Sequence, residues 1–507
     1  MKLSLLLFIV FTTNFSFGQK IKNKINGQKD TTVFLLHYVG KGLYYADTAE
    51  IKGGVVEFDI SKEKPGILAL LLPQVKYFEF VYNKEDIDLE TSGPDYSKNM
   101  KINKSEENKV FYSYIRFLAE KRELQSPISD SLSKLDKESA LYKEFLLKND
   151  AISKDIIAYQ KKLMLNNPTK FVSKIVKISM DVEIPEAPKD VAGKAIDPDF
   201  AYHYYRDHYF DNVDFNDDRM VNITSFHTRL ETYFGNTMMV QRWDSIVKYA
   251  FLLCDKLDPK SEAFKHVVSW ITSSYEKSNI LGMENVFVMM ADKYYCTLNA
   301  QGKSPAHWVS AENLETLNKS IKVRRKLLFG MVPPNVILKD TTDVVWKDFY
   351  SIKADYTILY FWEPSCGHCK TTTPKLQKLY AEKLKARNIE VFSVAKAVEE
   401  EFELWKKFVK ENNLTFITVG MTKSLFKLAS ADYRNVVPKY TNVESINYSE
   451  HFDIISTPTI YVLDKDKKII AKKLSIAQLE DFLDIMQHQE NSLKIFPLDQ
   501  EKPEAEH

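Results

Sequence analysis

The sequence predicts a multidomain chain: a small antiparallel β domain, a mostly α-helical middle domain and a C-terminal α/β domain. Three observations carry this. Short β-rich runs broken by Gly and Pro fill Thr31 to about Leu89, and apolar residues then recur at helical spacing over 105–325. Beyond Pro333-Pro334, apolar strands alternate with amphipathic helices, the pattern of a mostly parallel sheet. With 507 residues, 44% of them apolar, there is material for several packed cores.

The chain opens on Met1-Lys2, an apolar run from Leu3 to Phe11, and small residues around Ser16-Phe17-Gly18. Residues 1–18 therefore read as a secretory signal peptide, cut before Gln19, which puts the mature chain in an extracytoplasmic space where disulfides persist. Leu3–Phe11 is far short of the roughly 20 residues that a membrane helix needs, so no stable membrane span is expected. Residues 19–104 hold the strand-like runs "TVFLLHYVG", "VVEFDI", "ILALLL" and "KYFEFVY", punctuated by Gly40, Gly42, Gly53-Gly54, Pro65-Gly66 and Pro73. Residues 105–325 hold helical patterns such as "DIIAYQKKLML" and "AFKHVVSWITSSYEK", with an aromatic-rich break at "FAYHYYRDHYFDNVDFND".

Residues 326–490 form the third region. A strand over Tyr356–Trp362 leads to a helix from about Cys366 to Lys385, then to the strand "IEVFSVAKAV" and the helix "EEFELWKKFVKENN". The strand "LTFITVG", the hairpin "TPTIYVLDKDKKIIAKKL" and the helix "SIAQLEDFLDIMQ" follow, and residues 491–507 read as a disordered polar tail.

Seventy basic residues against 69 acidic ones give no global attraction to nucleic acid or anionic membrane, and no nucleic-acid partner is expected. The chemistry concentrates in "FWEPSCGHCK", which holds two of the four cysteines. A zinc knuckle needs four ligands and nothing nearby supplies them, so no metal is expected. A disulfide closed over two residues constrains the chain little, so it makes a poor staple. A redox dithiol uses every residue. Cys366 at a helix N-terminus has its thiolate favoured by free N–H groups and the helix dipole. Cys369, one turn on, can resolve a mixed disulfide, and His368 between them can stabilise the thiolate further. No cofactor is needed.

"LYFWEPSCGHCKTTTPKL" resembles the active-site segment of thioredoxin-fold proteins, with Trp362 before the motif and Pro374 at the kink of the first helix. "STPTIYVLD" is similar to their cis-proline segment. The resemblance implies that Pro458 faces the dithiol and that Thr457 pairs with an extended substrate, beside Trp362 as a further docking residue. Gly367 and His368, between the cysteines, would tune the thiolate. The long separation of Cys369 from Pro458 is more like the bacterial envelope thioredoxins of the thiol-disulfide interchange type, related to cytochrome-maturation reductases. The resemblance covers about residues 330–488. The whole layout also resembles an envelope group in which a β domain and a helical domain precede such a module.

What this implies is a periplasmic thiol-disulfide oxidoreductase acting on protein thiols and disulfides, with a membrane or periplasmic thiol donor. The reductase direction is preferred. The alternatives are an oxidase or isomerase, toward which His368 leans, and an envelope binding protein with the thioredoxin domain mainly as scaffold. One departure matters: those proteins carry a buried acid six residues ahead of the first cysteine, where this chain has Tyr360. The proton acceptor for Cys369 is then sought in Lys396 and in Glu399 or Glu400, against the plainer reading of solvated surface charges. Glu363 and Ser365 flank the motif and can tune access.

Cys254 and Cys296 lie among apolar neighbours and read as buried free thiols in preference to a mutual disulfide. His203 and His208, with Asp207 between them, fall about 140° apart on a helix, which favours aromatic packing over a metal site.

Overall fold

In the computed structural model of the chain, residues 18–278, 280–398 and 400–498 are described. Most of the proposed signal peptide, residues 1–17, lies outside them. The chain forms two compact units: the residues up to Gln241 with Cys254–Val267, and Arg242–Leu253 with the residues from Val268 onward. The helices of 105–325 are shared between these units.

The first unit begins with eight strands: β1 Lys20–Asn26, β2 Thr31–Val39, β3 Gly42–Ile51, β4 Val55–Asp59, β5 Gly66–Leu72, β6 Lys76–Tyr82, β7 Ile87–Ser92 and β8 Lys101–Lys104. They make two four-stranded sheets, β4-β1-β7-β8 and β3-β2-β5-β6. All pairs are antiparallel except β1–β7, which is parallel. The strand-like runs read in the sequence do not cover β1, β3, β7 or β8. In β1 the buried face is Ile21, Asn23 and Ile25 between exposed Lys and Asn, an alternation with too little apolar content to stand out.

The helix Glu106–Leu132 is tied to the strands by polar side chains. Asn108 gives and takes a hydrogen bond with the backbone of Val81, both 2.8 Å, standing in for a further strand at the edge of β6. Glu107 accepts the N–H groups of Phe171 and Val172, both at 2.9 Å, at the start of helix Phe171–Ser179. Arg229, buried on helix Thr224–Phe234, satisfies the far end: it donates to the carbonyls of Ile178 (2.7 Å), Tyr209 (2.9 Å) and Met180. Arg229→Met strips three carbonyls of their donor while keeping much of the side-chain volume. It is expected to cost about 3 kcal/mol, read as a lower urea midpoint, and a midpoint equal to the wild type's would refute this role.

The second unit is built on a seven-stranded sheet. Its strands are β9 Ile337–Asp340, β10 Trp346–Asp348, β11 Tyr356–Trp362, β12 Ile389–Ala395, β13 Ile417–Gly420, β14 Thr459–Asp464 and β15 Ile469–Lys472, in the order β10-β9-β13-β12-β11-β14-β15. β11, β12 and β13 are parallel, and the flanking pairs are antiparallel. β11 is buried along nearly its whole length and feeds both cores. Ile358, Tyr360 and Trp362 point to the face that also buries Cys369, Leu376 and Leu479. Leu359 and Phe361 point to the other, with Phe392, Tyr448 and Phe452. The helix after the dithiol runs over Gly367–Leu379, contains Pro374, and is followed by a wider turn over Tyr380–Leu384.

The C-terminal end departs from the tail expected from 491. Residues 491–498 are anchored, while 499–507 lie outside the described residues. Glu480 and Asp484, both buried on helix Ile476–Met486, draw the segment in. Glu480 accepts the N–H groups of Ile495 (2.9 Å) and Phe496 (2.8 Å), and Asp484 pairs with Lys494 at 2.7 Å. Ile495 and Phe496 also pack against the core on that side, so the segment is held by apolar contact as well as by charge.

Candidate active site

β11 carries the chain from the far end of the sheet to Trp362, where pairing with β14 stops and the chain turns. The Cys366 N–H closes this turn on the Glu363 carbonyl at 3.2 Å, and Lys370 N–H reaches the Cys366 carbonyl at 3.1 Å. Cys366 thus occupies the N-cap of helix Gly367–Leu379, where backbone N–H groups have no helical acceptor. No cap side chain competes for them.

The two sulfurs sit in different environments. Cys366 is half-buried, and its thiol donates to the Thr457 carbonyl at 3.4 Å. Cys369 is fully buried and accepts the Glu363 N–H at 3.5 Å. Both are free thiols. Burial would push the Cys366 thiol up. Hydrogen bonds from the backbone of Cys369, the side chain of Thr457, the Cys369 thiol and the backbone of His368 outweigh it, and the net shift is downward. For Cys369 burial wins, and its thiol is pushed up to about 12. One sulfur is accessible and readily ionised; the other is enclosed and keeps its proton.

Thr457 and Pro458 are joined by a cis peptide bond, and Thr457 lies beside both sulfurs. His368 and Gly367 are exposed. A Cβ on Gly367 would meet nothing within 4 Å, so the approach to Cys366 is open on that side. Trp362 corrects an expectation: it is fully buried, packed against Phe408 at 5.0 Å, and offers no face to a docking partner. It supports the site from beneath.

Lys396 is exposed, and its Nζ lies 3.7 Å from Glu363 Oε2. Its backbone N–H donates to the Trp362 carbonyl at 2.8 Å, which fixes it beside the motif. The Ser365 hydroxyl bridges Glu363 (3.2 Å) and Glu401 (3.0 Å). Glu400 is exposed, and Glu399 lies outside the described residues. The motif is thus rimmed by Glu363, Glu401 and Lys396, of which Glu401 went unnoticed in sequence although it ends the run Glu399–Glu401. Tyr360, at the position where an acid was expected, is fully buried and its hydroxyl is 2.8 Å from Thr373 Oγ1. Burial holds that phenol far above its ordinary value, so it stays neutral.

The remaining candidates stand apart. His203 bonds Asp197 at 2.7 Å and His208 bonds Asp211 at 2.6 Å, each with its own carboxylate, and Tyr204 stacks on His208. Cys254 is buried and Cys296 half-buried, and no disulfide joins them. No helix of the described residues is long and apolar enough to cross a membrane.

A β-α-β core with a dithiol at the N-terminus of its first helix, opposite a cis-proline loop, defines a thioredoxin-fold domain. Residues 330–472 match the model of the AhpC/TSA family, and residues 19–111 match a domain of unknown function, DUF4369. Residues 330–472 are thus an AhpC/TSA thioredoxin-like domain within the chain. Among solved structures it is similar to a domain of a possible thiol-disulfide isomerase from Cytophaga hutchinsonii, with 33% identity, 32% of this chain and 94% of the other covered, and a TM-score of 0.25. A thiol:disulfide interchange protein from Bacteroides sp. shares 23% identity, with 33% and 93% covered and a TM-score of 0.25. A thioredoxin-like protein from Bacteroides caccae shares 17%, with 60% and 99% covered and a TM-score of 0.31. A comparison with curated proteins finds no match.

Proposed function

We propose that the chain is a periplasmic thiol-disulfide oxidoreductase that exchanges disulfides with protein substrates through Cys366 and Cys369. The observation that carries this is the contrast between the two thiols: an accessible one shifted down at a helix N-terminus, and a buried one pushed up to about 12. A pair so divided has a first nucleophile and a resolving partner. In this reading Cys366 attacks the client disulfide, and Thr457 and Pro458 border the groove that receives the client chain. His368 and Gly367 set the polarity and access around Cys366, and Lys396 with Glu363 adjusts the charge at its rim. The redox domain is taken as residues 326–490, with 19–104 and 105–325 as accessory domains that select clients or an envelope location. The signal-peptide pattern of residues 1–18 in the sequence supports the periplasm as the compartment.

We take the working direction to be reductase, supplied by a membrane or periplasmic thiol donor. The downward shift of Cys366 favours a second reading, since stabilising the reduced form makes a disulfide more oxidising. Equilibration against thiol–disulfide buffers separates the two. A midpoint near that of thioredoxin, about −270 mV, supports the reductase; one near −180 mV or above, about the values of isomerases and oxidases, replaces it. Alkylation by iodoacetamide tests the site itself. Cys366 is expected to react with a pH midpoint below the roughly 8.5 of an ordinary thiol, while Cys369 stays unreactive at neutral pH. A midpoint at or above 8.5 for Cys366 would remove the catalytic reading.

A further inference from the structure

The helices upstream of the redox domain touch the loop that borders its nucleophile. Arg324 closes the helix Ala311–Arg324 and belongs to the same compact unit as the dithiol. Its Nε lies 2.9 Å from Asp453 Oδ2, and both side chains are half-buried. That Nε–H has no well-aligned acceptor, so charge joins the pair more than hydrogen-bond geometry does. The guanidinium stands over the Phe287 ring at 5.5 Å, which backs it from the helix Glu284–Ala291. A second ion pair runs beside the first. Lys472 on β15 meets Glu284 Oε2 at 2.5 Å and donates to the Leu327 carbonyl at 2.9 Å. Tyr461, in register with Lys472 on β14, donates to the Phe452 carbonyl at 2.7 Å.

Asp453 stands where the chain leaves this contact for the site. Before it, Phe452 is locked in the core, 4.9 Å from Phe361. Asp453 itself has a φ of +50°, the left-handed region, which a non-glycine residue keeps where its surroundings enforce it. Ile454 N–H bonds back to the Ser449 carbonyl at 2.9 Å, and the chain then runs exposed through Ile455 and Ser456. The Thr459 hydroxyl catches it again at the Ser456 carbonyl, 2.7 Å away, and the next carbonyl, that of Thr457, accepts the Cys366 thiol at 3.4 Å. Phe452 sets where the loop leaves the core, and Asp453 sets the direction in which it leaves. Among the described residues, Arg324 is the cation that pairs with Asp453.

We infer that Arg324 is a positioning residue for the client groove: through Asp453 it holds the loop that carries Thr457, so a helix outside the redox domain sets how well a client chain docks. The inference rests on the redox reading above and on its groove at Thr457. Neither Arg324 nor Asp453 touches a sulfur in this scheme. Their ion pair fixes the groove wall and leaves the reactivity of Cys366 to its own helix N-terminus. Loss of either charge frees the turn at Asp453, and the client then meets a wall that it must order on binding.

The test compares two disulfides on the full-length reduced protein. One is a peptide closed by an intramolecular disulfide, which has to lie in the groove. The other is 5,5′-dithiobis(2-nitrobenzoate), which needs access to the Cys366 sulfur alone. Oxidation of the dithiol is followed by rapid quenching and thiol alkylation over a range of peptide concentrations. Arg324→Met and Asp453→Asn are each expected to raise the half-saturating peptide concentration about five-fold or more, with the limiting rate within about two-fold of wild type. Their reaction with the small disulfide keeps the wild-type rate and pH midpoint. Arg324→Lys, which keeps the charge, is expected to restore docking, and the double variant Arg324→Met/Asp453→Asn to be no worse than the poorer single one. Wild-type half-saturation in both single variants overturns the inference, as do effects that add in the double variant. Equal slowing with both disulfides also overturns it, by assigning the pair to folding alone. A wild type whose dithiol is oxidised by neither disulfide sinks the redox reading itself, which is a separate result.

Discussion

Cys369→Ser is expected to hold a client as a stable mixed disulfide on Cys366, whereas Cys366→Ser forms none. Turnover in a disulfide-reduction assay falls by on the order of 10³-fold or more in both variants, as for loss of a catalytic nucleophile. The reason lies in the unequal burial of the sulfurs. Cys366 is accessible and shifted down, so it starts the reaction; Cys369 is enclosed and pushed up to about 12, so at neutral pH it is almost wholly protonated. Without it, only an external thiol can release the client. Non-reducing gels of envelope extracts, followed by identification of the trapped proteins, give the measurement. Equal trapping on both single variants, or on neither, defeats the assignment of attacking and resolving roles.

Asp484→Asn is expected to destabilise the C-terminal domain by about 3–5 kcal/mol, the range for breaking a buried ion pair while its partners remain. Asp484 is fully buried and receives Lys383 at 2.9 Å, Arg387 at 2.6 Å and Lys494 at 2.7 Å, with the Ser492 hydroxyl at 3.0 Å. Burial alone would raise its carboxyl, but hydrogen bonds from Lys494, Arg387, Lys383 and Ser492 hold it well below the usual carboxylate range. The sign of the pH dependence follows. A folded value below the unfolded one, about 3.9, means that the contribution is complete above that pH and is lost as pH falls through the folded value. The gap between wild type and Asp484→Asn in urea unfolding is therefore widest at pH 7 and narrows steadily below about pH 4. A gap of constant size from pH 7 to pH 3 would show that charge is not what Asp484 supplies.

How much of this could be read beforehand depended on the kind of interaction. The strand Tyr356–Trp362 and the helix behind Cys366 announce themselves through apolar run and periodicity, and the dithiol through spacing. The β-rich start and the helical patterns were equally legible. Part of what escaped was held by polar pairing. β1 alternates Ile with Lys and Asn, and residues 491–498 depend on buried carboxylates of another helix. At the site, Cys366, Cys369 and the Thr457-Pro458 loop were named from the sequence. The burial of Trp362, the Glu401–Ser365–Glu363 contacts and the Tyr360–Thr373 pair required knowledge of which pleat faces which helix. No spacing rule reaches across a sheet in that way.

The open side at Gly367 separates two quantities that a protein core usually binds together. A residue placed there would have nothing to displace, since no atom lies within 4 Å of where its Cβ would stand. The position between the sulfurs can therefore change in charge, size or polarity without repacking the helix or the sheet. Under the proposed redox role, the reactivity of Cys366 and folding stability become independent variables at that point. A lineage carrying this domain is free to retune its electron transfer by single substitutions, one position from the nucleophile, at little cost to the fold.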